Sequence, residues 1–256
     1  MRIATFNVNG IAARLTRLLE WLESRKPDVV CLQEVKCIDE RFPAADIEAL
    51  GYHVLVHGQK SFNGVAILSR EPATEVQRGL PGDDADEQAR YLEADVNGVR
   101  IGSIYLPNGN PQPGPKFDYK LAWMKRLEAR AAMLLASETP TVLAGDYNVA
   151  PEDRDVFSVQ AMADDALVQP ESRAALRRII HQGWTDALRA VHPADEHLYT
   201  IWDYQAGCWP RNAGLRIDHF LLSPRVADRL TNATVDREAR GAEKASDHAP
   251  VWIDIA

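Results

Sequence analysis

Cysteine is scarce in this 256-residue chain: Cys31, Cys37 and Cys208 are the only three, an odd number with no CxxC pair. That excludes a disulfide framework or a cysteine-rich zinc site and points to a reducing compartment. No apolar run approaches the roughly 18–20 residues that span a bilayer. The opening MRIATFNVNG turns polar early and lacks the apolar core of a secretion signal. The expectation is a cytoplasmic protein with no membrane partner. No segment repeats at a period of about 20–50 residues, so solenoids and propellers are out. A basic excess is also missing, since 29 Lys and Arg stand against 37 Asp and Glu, a formal net charge of −8. A histone-like nucleic-acid binder is thereby excluded, but a localised basic face is not, because net charge says little about any one surface. Neither a HExxH helix nor a Gly-rich phosphate loop ending in Lys-Ser/Thr occurs, which removes the zincin and P-loop readings.

What is present is a chain that is 46% hydrophobic, with ample length to bury a core. RIATFNV (2–8) reads as a strand, and Leu15, Leu18, Leu19 and Leu22 recur at helical spacing before Pro27. Val29–Leu32 is wholly apolar, as a strand covered on both faces would be. Further strands are expected at 64–69, 91–96, 99–106, 141–145, 199–204, 216–222, 233–235 and 250–255. Asn97-Gly98 should turn a hairpin between 91–96 and 99–106. Phe117, Leu121, Met124, Leu127, Ala131 and Leu134 mark a long helix after the Pro/Gly-rich loop 107–115, and 81–89 reads as a solvated acidic connection. Strand-rich halves flanked by helices suggest two packed mixed sheets, with no linker long enough to divide residues 1–256 into separate domains.

Four polar motifs stand at the ends of apolar strands. Asn7 follows the first strand, Glu34 follows VVCLQ, Asp146 and Asn148 follow TVLAG, and Asp247-His248 precedes the last strand. One such carboxylate is usually a cap or turn residue, but four weaken that reading, because loops at strand ends are where rigid scaffolds place functional groups. Asn7, Glu34 and Asp247 are oxygen donors, which suits a hard divalent cation such as Mg²⁺ that keeps waters and binds a substrate phosphate. Asp218, inside RIDHFLL, is costly to bury without a partner. An Asp218–His248 pair would fix the imidazole tautomer and favour its charged form, whereas strand alternation turns His219 to the opposite face.

These residues bring a family into view. FNVNGIAAR (6–14), DVVCLQEVK (28–36), NGVAILS (63–69), YLPNG (105–109), GDYNVAP (145–151), GLRIDHFLLS (214–223) and SDHAP (246–250) resemble the exonuclease III type of apurinic/apyrimidinic endonuclease, within the endonuclease/exonuclease/phosphatase superfamily. The resemblance runs along essentially the whole chain. It implies a four-layer αββα sandwich of two mixed β-sheets flanked by helices, forming a single domain with its site at one edge of the paired sheets. It implies Glu34 as the central metal ligand with Asn7 and Asp247 nearby, the metal being Mg²⁺ or Mn²⁺. It implies Tyr105 as the contact to the scissile phosphate, Asp146 as the group that orients or deprotonates water, Asn148 as the residue holding that water, and His248, supported by Asp218, as a phosphate ligand.

Substrate contacts follow from the same likeness. Double-stranded DNA with abasic sites or blocked 3′ ends is the implied partner of a monomeric enzyme, and Ile201, Trp202, Leu215 and Ile217 would line the pocket for the base-free sugar. Relatives often carry an aromatic at the Ile201 position, so this chain departs from the pattern there. Basic residues that could track phosphates are Arg14, Lys36, Lys60, Arg90, Lys116, Lys120, Arg154 and Arg211. Lys36 and Arg90 adjoin the motifs, and Lys116 and Lys120 stand at i, i+4 on one helix. Trp209 lies in a loop that could approach DNA. The resulting expectation is a basic rim around an acidic cleft. The alternative on the same fold is a phosphodiesterase of a small molecule or lipid, which would need a membrane-docking hairpin that this sequence does not display.

Overall fold

A computed structural model describes all residues, 1–256. The strands in chain order are β1 (Arg2–Asn7), β2 (Val29–Gln33), β3 (His53–His57), β4 (Val65–Ser69), β5 (Ala73–Arg78), β6 (Tyr91–Val96), β7 (Val99–Tyr105), β8 (Thr141–Asp146), β9 (Thr185–Asp186), β10 (Asp218–Leu222), β11 (Leu230–Val235) and β12 (Val251–Ile255). They form two six-stranded mixed sheets, ordered β11-β12-β1-β2-β4-β3 and β5-β6-β7-β8-β10-β9. The first three α-helices are α1 (Ile11–Arg25), the short α2 (Ala44–Glu48) and α3 (Pro115–Ala136).

The layers follow from period-two patterning. Ile3, Val29, Cys31 and Ile67 from the first sheet meet Leu92, Ile101, Val142 and Phe220 from the second in the central core. Their neighbours Ala4, Val30, Leu32 and Leu68 point outward, against Leu18, Trp21 and Leu22 of α1. Ile104, Leu143 and Leu221 point outward from the second sheet, against Trp123, Met124 and Leu127 of α3 and against the helix Pro170–His181. Both faces of the central strands are therefore dry, which is why their sequences are continuously apolar. Truncating Ile101 to Ala at the shared core would cost about 2–5 kcal/mol.

Each sheet is built around one parallel pair, β1–β2 in the first and β7–β8 in the second. α1 connects the first pair and α3 the second, as a parallel pair requires a crossover. Parallel strands end together, so Asn7 and Gln33 are register partners in one sheet, and Tyr105 and Asp146 in the other. Gly145 makes the second pairing feasible, because a Cβ there would lie 1.9 Å from the Ile104 carbonyl oxygen.

Some expected elements differ. The hairpin turns at Asn97 and Gly98, both at positive φ (49° and 77°). β3 and β5 were not expected; they lie at the sheet edges, where half-exposed polar residues blur the pattern. Residues 199–204 do not form the expected strand. This segment crosses the end of the sandwich, and Ile201 makes single bridges to Leu215 on one side and His248 on the other. The ladder of β10 begins at Asp218, leaving Arg216 and Ile217 outside it. In the acidic connection, Asp86 is not solvated; it accepts from Tyr119 Oη at 3.0 Å and pairs with Arg126.

Candidate active site

The two parallel pairs deliver their polar ends to one edge. Asn7 is fully buried there, and its Nδ2 donates to Glu34 Oε1 (3.1 Å) and to Asp146 Oδ2 (3.0 Å), joining the two sheets through one amide. Tyr105 Oη donates to the same Glu34 Oε1 at 2.8 Å. Asp146 Oδ1 accepts the backbone N–H of Asn148 at 2.9 Å. Across from Asp146, His248 Nδ1 meets Asp218 Oδ2 at 2.8 Å, and Thr200 Oγ1 donates to that same oxygen at 2.6 Å. His248 Nε2 stands 3.9 Å from Asp146 Oδ2, beyond hydrogen-bond range. With Nδ1 carrying its proton toward Asp218, Nε2 is the nitrogen left to face a ligand. The second carboxylate oxygen of Asp218, Oδ1, is buried without a partner.

The backbone at this edge is strained. Asn9, Glu34, Lys36 and Asn148 adopt left-handed φ of 47°, 54°, 55° and 47°. For Glu34 and Lys36 this costs about 1–2 kcal/mol each, and the conformation is held by hydrogen bonds such as Gly10 N–H to Glu34 O at 2.7 Å. Non-glycine residues in this region concentrate at functional sites.

Burial sets the protonation states, corrected by charge. Burial would raise Glu34's carboxyl, but hydrogen bonds from Lys36 and Asn7 hold it below its ordinary value. Burial raises Asp146, against the lowering effect of His248 and with Asp218 adding to the rise. Burial also works against a charged His248, yet the Asp218 carboxylate outweighs it and raises the imidazole. Burial, then the charges of Glu34 and Asp146, push the Tyr105 phenol well above its usual range, so it remains a donor.

Glu34 and Asp247, the carboxylates expected to hold a cation, are linked through Asn9 and Lys36. Asn9 Nδ2 donates to Asp247 Oδ1 at 3.0 Å, and its Oδ1 accepts from Lys36 Nζ at 2.5 Å. Lys36 Nζ also contacts Glu34 Oε2 at 2.7 Å, so this cradle of oxygens already holds a cationic group. The donor set is all oxygen and fits a Mg²⁺-type ion. Asn7 Oδ1 accepts the Asn9 N–H at 3.0 Å, and its NH₂ faces the carboxylates. Asp146, Asp218 and His248 form a second, buried cluster whose ligand atoms lie within 4.8 Å of one another.

The outlying residues divide sharply. Lys60 and Lys116 are exposed. Arg90 stacks its guanidinium 4.7 Å over the Tyr105 ring and, with Lys116, lines a groove of about 510 Å³. Lys120 is not part of any rim: it is completely buried, because its helical position turns it toward the second sheet rather than outward with Lys116. Arg154 pairs with Glu152 at 2.6 Å, and Arg14 Nη2 donates to Tyr204 Oη at 3.0 Å. Trp209 packs on Trp202 at 4.9 Å and lies beneath Arg237 and Arg240 while staying partly exposed. Of the expected pocket, Ile201 and Leu215 are partly exposed, whereas Trp202 and Ile217 are buried and line nothing open. Trp202 Nε1 is used internally, on Asn212 Oδ1 at 3.1 Å. Sequence reasoning passed over Asn9, Asn108, Thr200 and the exposed Phe62 that lines the groove. Asn9 and Asn108 were legible inside NVNG and YLPNG, while Thr200 carries no signal of its own.

Comparison with known proteins points to one family and one fold. The model of the endonuclease/exonuclease/phosphatase family matches residues 4–248. The chain is 33% identical to exodeoxyribonuclease III of Haemophilus influenzae, covering 100% of both sequences. It superposes on an AP endonuclease from Archaeoglobus fulgidus with a TM-score of 0.95 at 38% identity, covering 100% of this chain and 99% of that one. A 3′ phosphatase from Neisseria, solved with a product DNA hairpin, gives a TM-score of 0.97 at 38% identity with the same coverage.

Proposed function

The chain belongs to the endonuclease/exonuclease/phosphatase family, and from that footing we propose that it is a DNA-repair nuclease. In this reading it incises duplex DNA 5′ to abasic sites and removes 3′ blocking groups or nucleotides. It acts as a cytoplasmic monomer with Mg²⁺, or Mn²⁺ in its place. The observation that carries the proposal is the continuous chain from Lys36 through Glu34 and Asn7 to Asp146, with Tyr105 on Glu34 and the Asp218–His248 pair facing Asp146. The relatives with names pointing to nucleic acid match over their full length, which favours DNA over a lipid or small-molecule phosphoester.

A phosphodiester is an anion that repels hydroxide, and its hydrolysis demands about 20 kcal/mol of barrier reduction. Glu34 and Asp247 would hold the divalent cation, which when bound neutralises charge developing on the phosphate. Asp146, raised by burial, accepts the proton of the attacking water as the bond from phosphorus to the leaving sugar oxygen breaks. Asn148 is fixed beside it by Leu106 O (2.9 Å) and Asn108 Nδ2 (3.2 Å) and orients that water. His248, kept charged by Asp218, donates to a phosphate oxygen, and the protonated Tyr105 does so by turning its single O–H from Glu34 to the substrate. Ile201 and Leu215 offer the apolar wall for an extruded base-free sugar. Arg90 and Lys116, which line the groove, and the exposed Lys60 track the backbone.

An end-labelled abasic duplex, incubated with Mg²⁺ and with or without EDTA, tests reaction, substrate and metal together. Incision with Mg²⁺ and none with EDTA is expected. Intact abasic and 3′-blocked duplexes under both conditions would overturn the proposal.

A further inference from the structure

Lys120 lies on α3 with its side chain fully buried. A lysine is almost never buried this completely without an anionic partner, yet the partners of Nζ are two backbone carbonyls, Asn148 O at 2.5 Å and Asn108 O at 3.0 Å. Asp146 and Asp165 act on it only through space. Those carbonyls belong to the two loops that follow β8 and β7. Above them Asn108 Nδ2 donates to Asn148 Oδ1 at 3.2 Å, so ammonium, carbonyls and amides close a ring around both loops. The turn is shaped to admit the lysine: Gly109 sits at φ +92°, and a Cβ there would lie 2.6 Å from Lys120 Cδ. A methionine would fill this volume without the desolvation cost of an ammonium.

Resting on the nuclease reading above, we propose that Lys120 is a positioning residue that ties the YLPNG loop to the GDYN loop and so holds Asn148 and Asp146 in place against Tyr105. Charged or neutral, the amine has the two N–H groups this needs. The brace acts on placement and not on DNA affinity, which separates it from a phosphate-gripping lysine.

The test compares wild type, Lys120→Met and Lys120→Gln on the abasic duplex, with amide hydrogen exchange measured in parallel. Lys120→Met should lower kcat by about 10²-fold, as an active-site misplacement near 1 Å does. Its KM, DNA Kd and salt slope should stay within about twofold of wild type. Lys120→Gln, which keeps two donors, should recover about tenfold of the loss. Exchange should quicken in residues 106–110 and 146–150 of Lys120→Met and not elsewhere. A kcat within about threefold of wild type, a salt slope reduced by about one unit, or Gln no better than Met would each overturn the proposal. A purely structural lysine would lower Tm in both variants while the folded fraction kept its kcat, which also overturns it. Should Lys120→Met fail to fold, Lys120→Gln decides by the same split of kcat against KM. If wild type leaves the duplex intact, the nuclease reading falls by itself, and unchanged exchange in the two loops then sinks the brace independently.

Discussion

Lys36 follows the β1–α1–β2 unit and Lys120 rides on the helix of the β7–α3–β8 unit, yet the two units use their lysines in opposite ways. Lys36 is a third exposed and forms an ion pair with Glu34, so its charge can be moved aside by a stronger cation. Lys120 is shut in and bonded to carbonyls that have no charge to lose. In the proposed function the first unit serves as an exchangeable cation cradle and the second as a rigid platform for Asp146 and Asn148. Twin strand–helix–strand builds acquire different tasks from the depth of one side chain, because exposure decides whether a charge is screened and mobile or fixed and costly.

The largest expected effects test whether both units are needed. Asp146→Asn on the platform should reduce single-turnover incision by about 10²–10⁴-fold, the span of general-base help, with DNA binding retained. Glu34→Gln in the cradle should lose comparable activity and, unlike Asp146→Asn, weaken divalent-cation binding in calorimetric titration. Equal cation affinity in the two variants would break the division of tasks. The next effect sharpens the depth argument. Burial pushes the Lys120 ammonium down to about 7, against the raising influence of Asp146 and Asp165, while an unfolded lysine titrates near ~10.4. Between these values the unfolded chain binds more protons, so wild-type stability rises with pH. The Tm of Lys120→Met relative to wild type should therefore be highest at or below pH 7 and fall as the pH approaches 10, superimposed on a pH-independent loss from the two carbonyls left unpaired. A Tm difference that does not vary with pH would show that the ammonium is not buried in solution. A smaller effect belongs to Lys36→Met, which removes a competing charge and should tighten cation binding several-fold by titration. The smallest belongs to the exposed lysines: Lys60→Ala and Lys116→Ala should each lower the log–log salt slope of DNA affinity by about one unit, leaving kcat unchanged.

Much of the candidate site was legible because parallel strands covered on both faces must be apolar throughout. VVCLQ running into Glu34 and TVLAG running into Asp146 therefore mark where the apolar strand stops and polar side chains begin. Asp218 was legible as a strand carboxylate in need of a partner, and His248 is the partner found. The edge strands β3 and β5 were not legible, since HVLVH and ATEVQR alternate weakly where one side meets solvent. Trp202 and Ile217 were placed in a pocket and lie in the core, because an apolar side chain near a motif reads the same whether it lines a cleft or fills one.

The sequence by itself determined the layer architecture and the identity of the polar strand ends, because both rest on local periodicity and on the termination of apolar runs. It also set the charge balance of −8. Only the tertiary structure decided which of those acidic groups face one another, that one Asn7 amide joins the two sheets, and that Lys120 points inward while Lys116 points out. Helical spacing establishes that two lysines are neighbours, but the side of the helix that meets the sheet is chosen by packing between segments distant in the chain, and that choice turned an expected surface cation into a buried one.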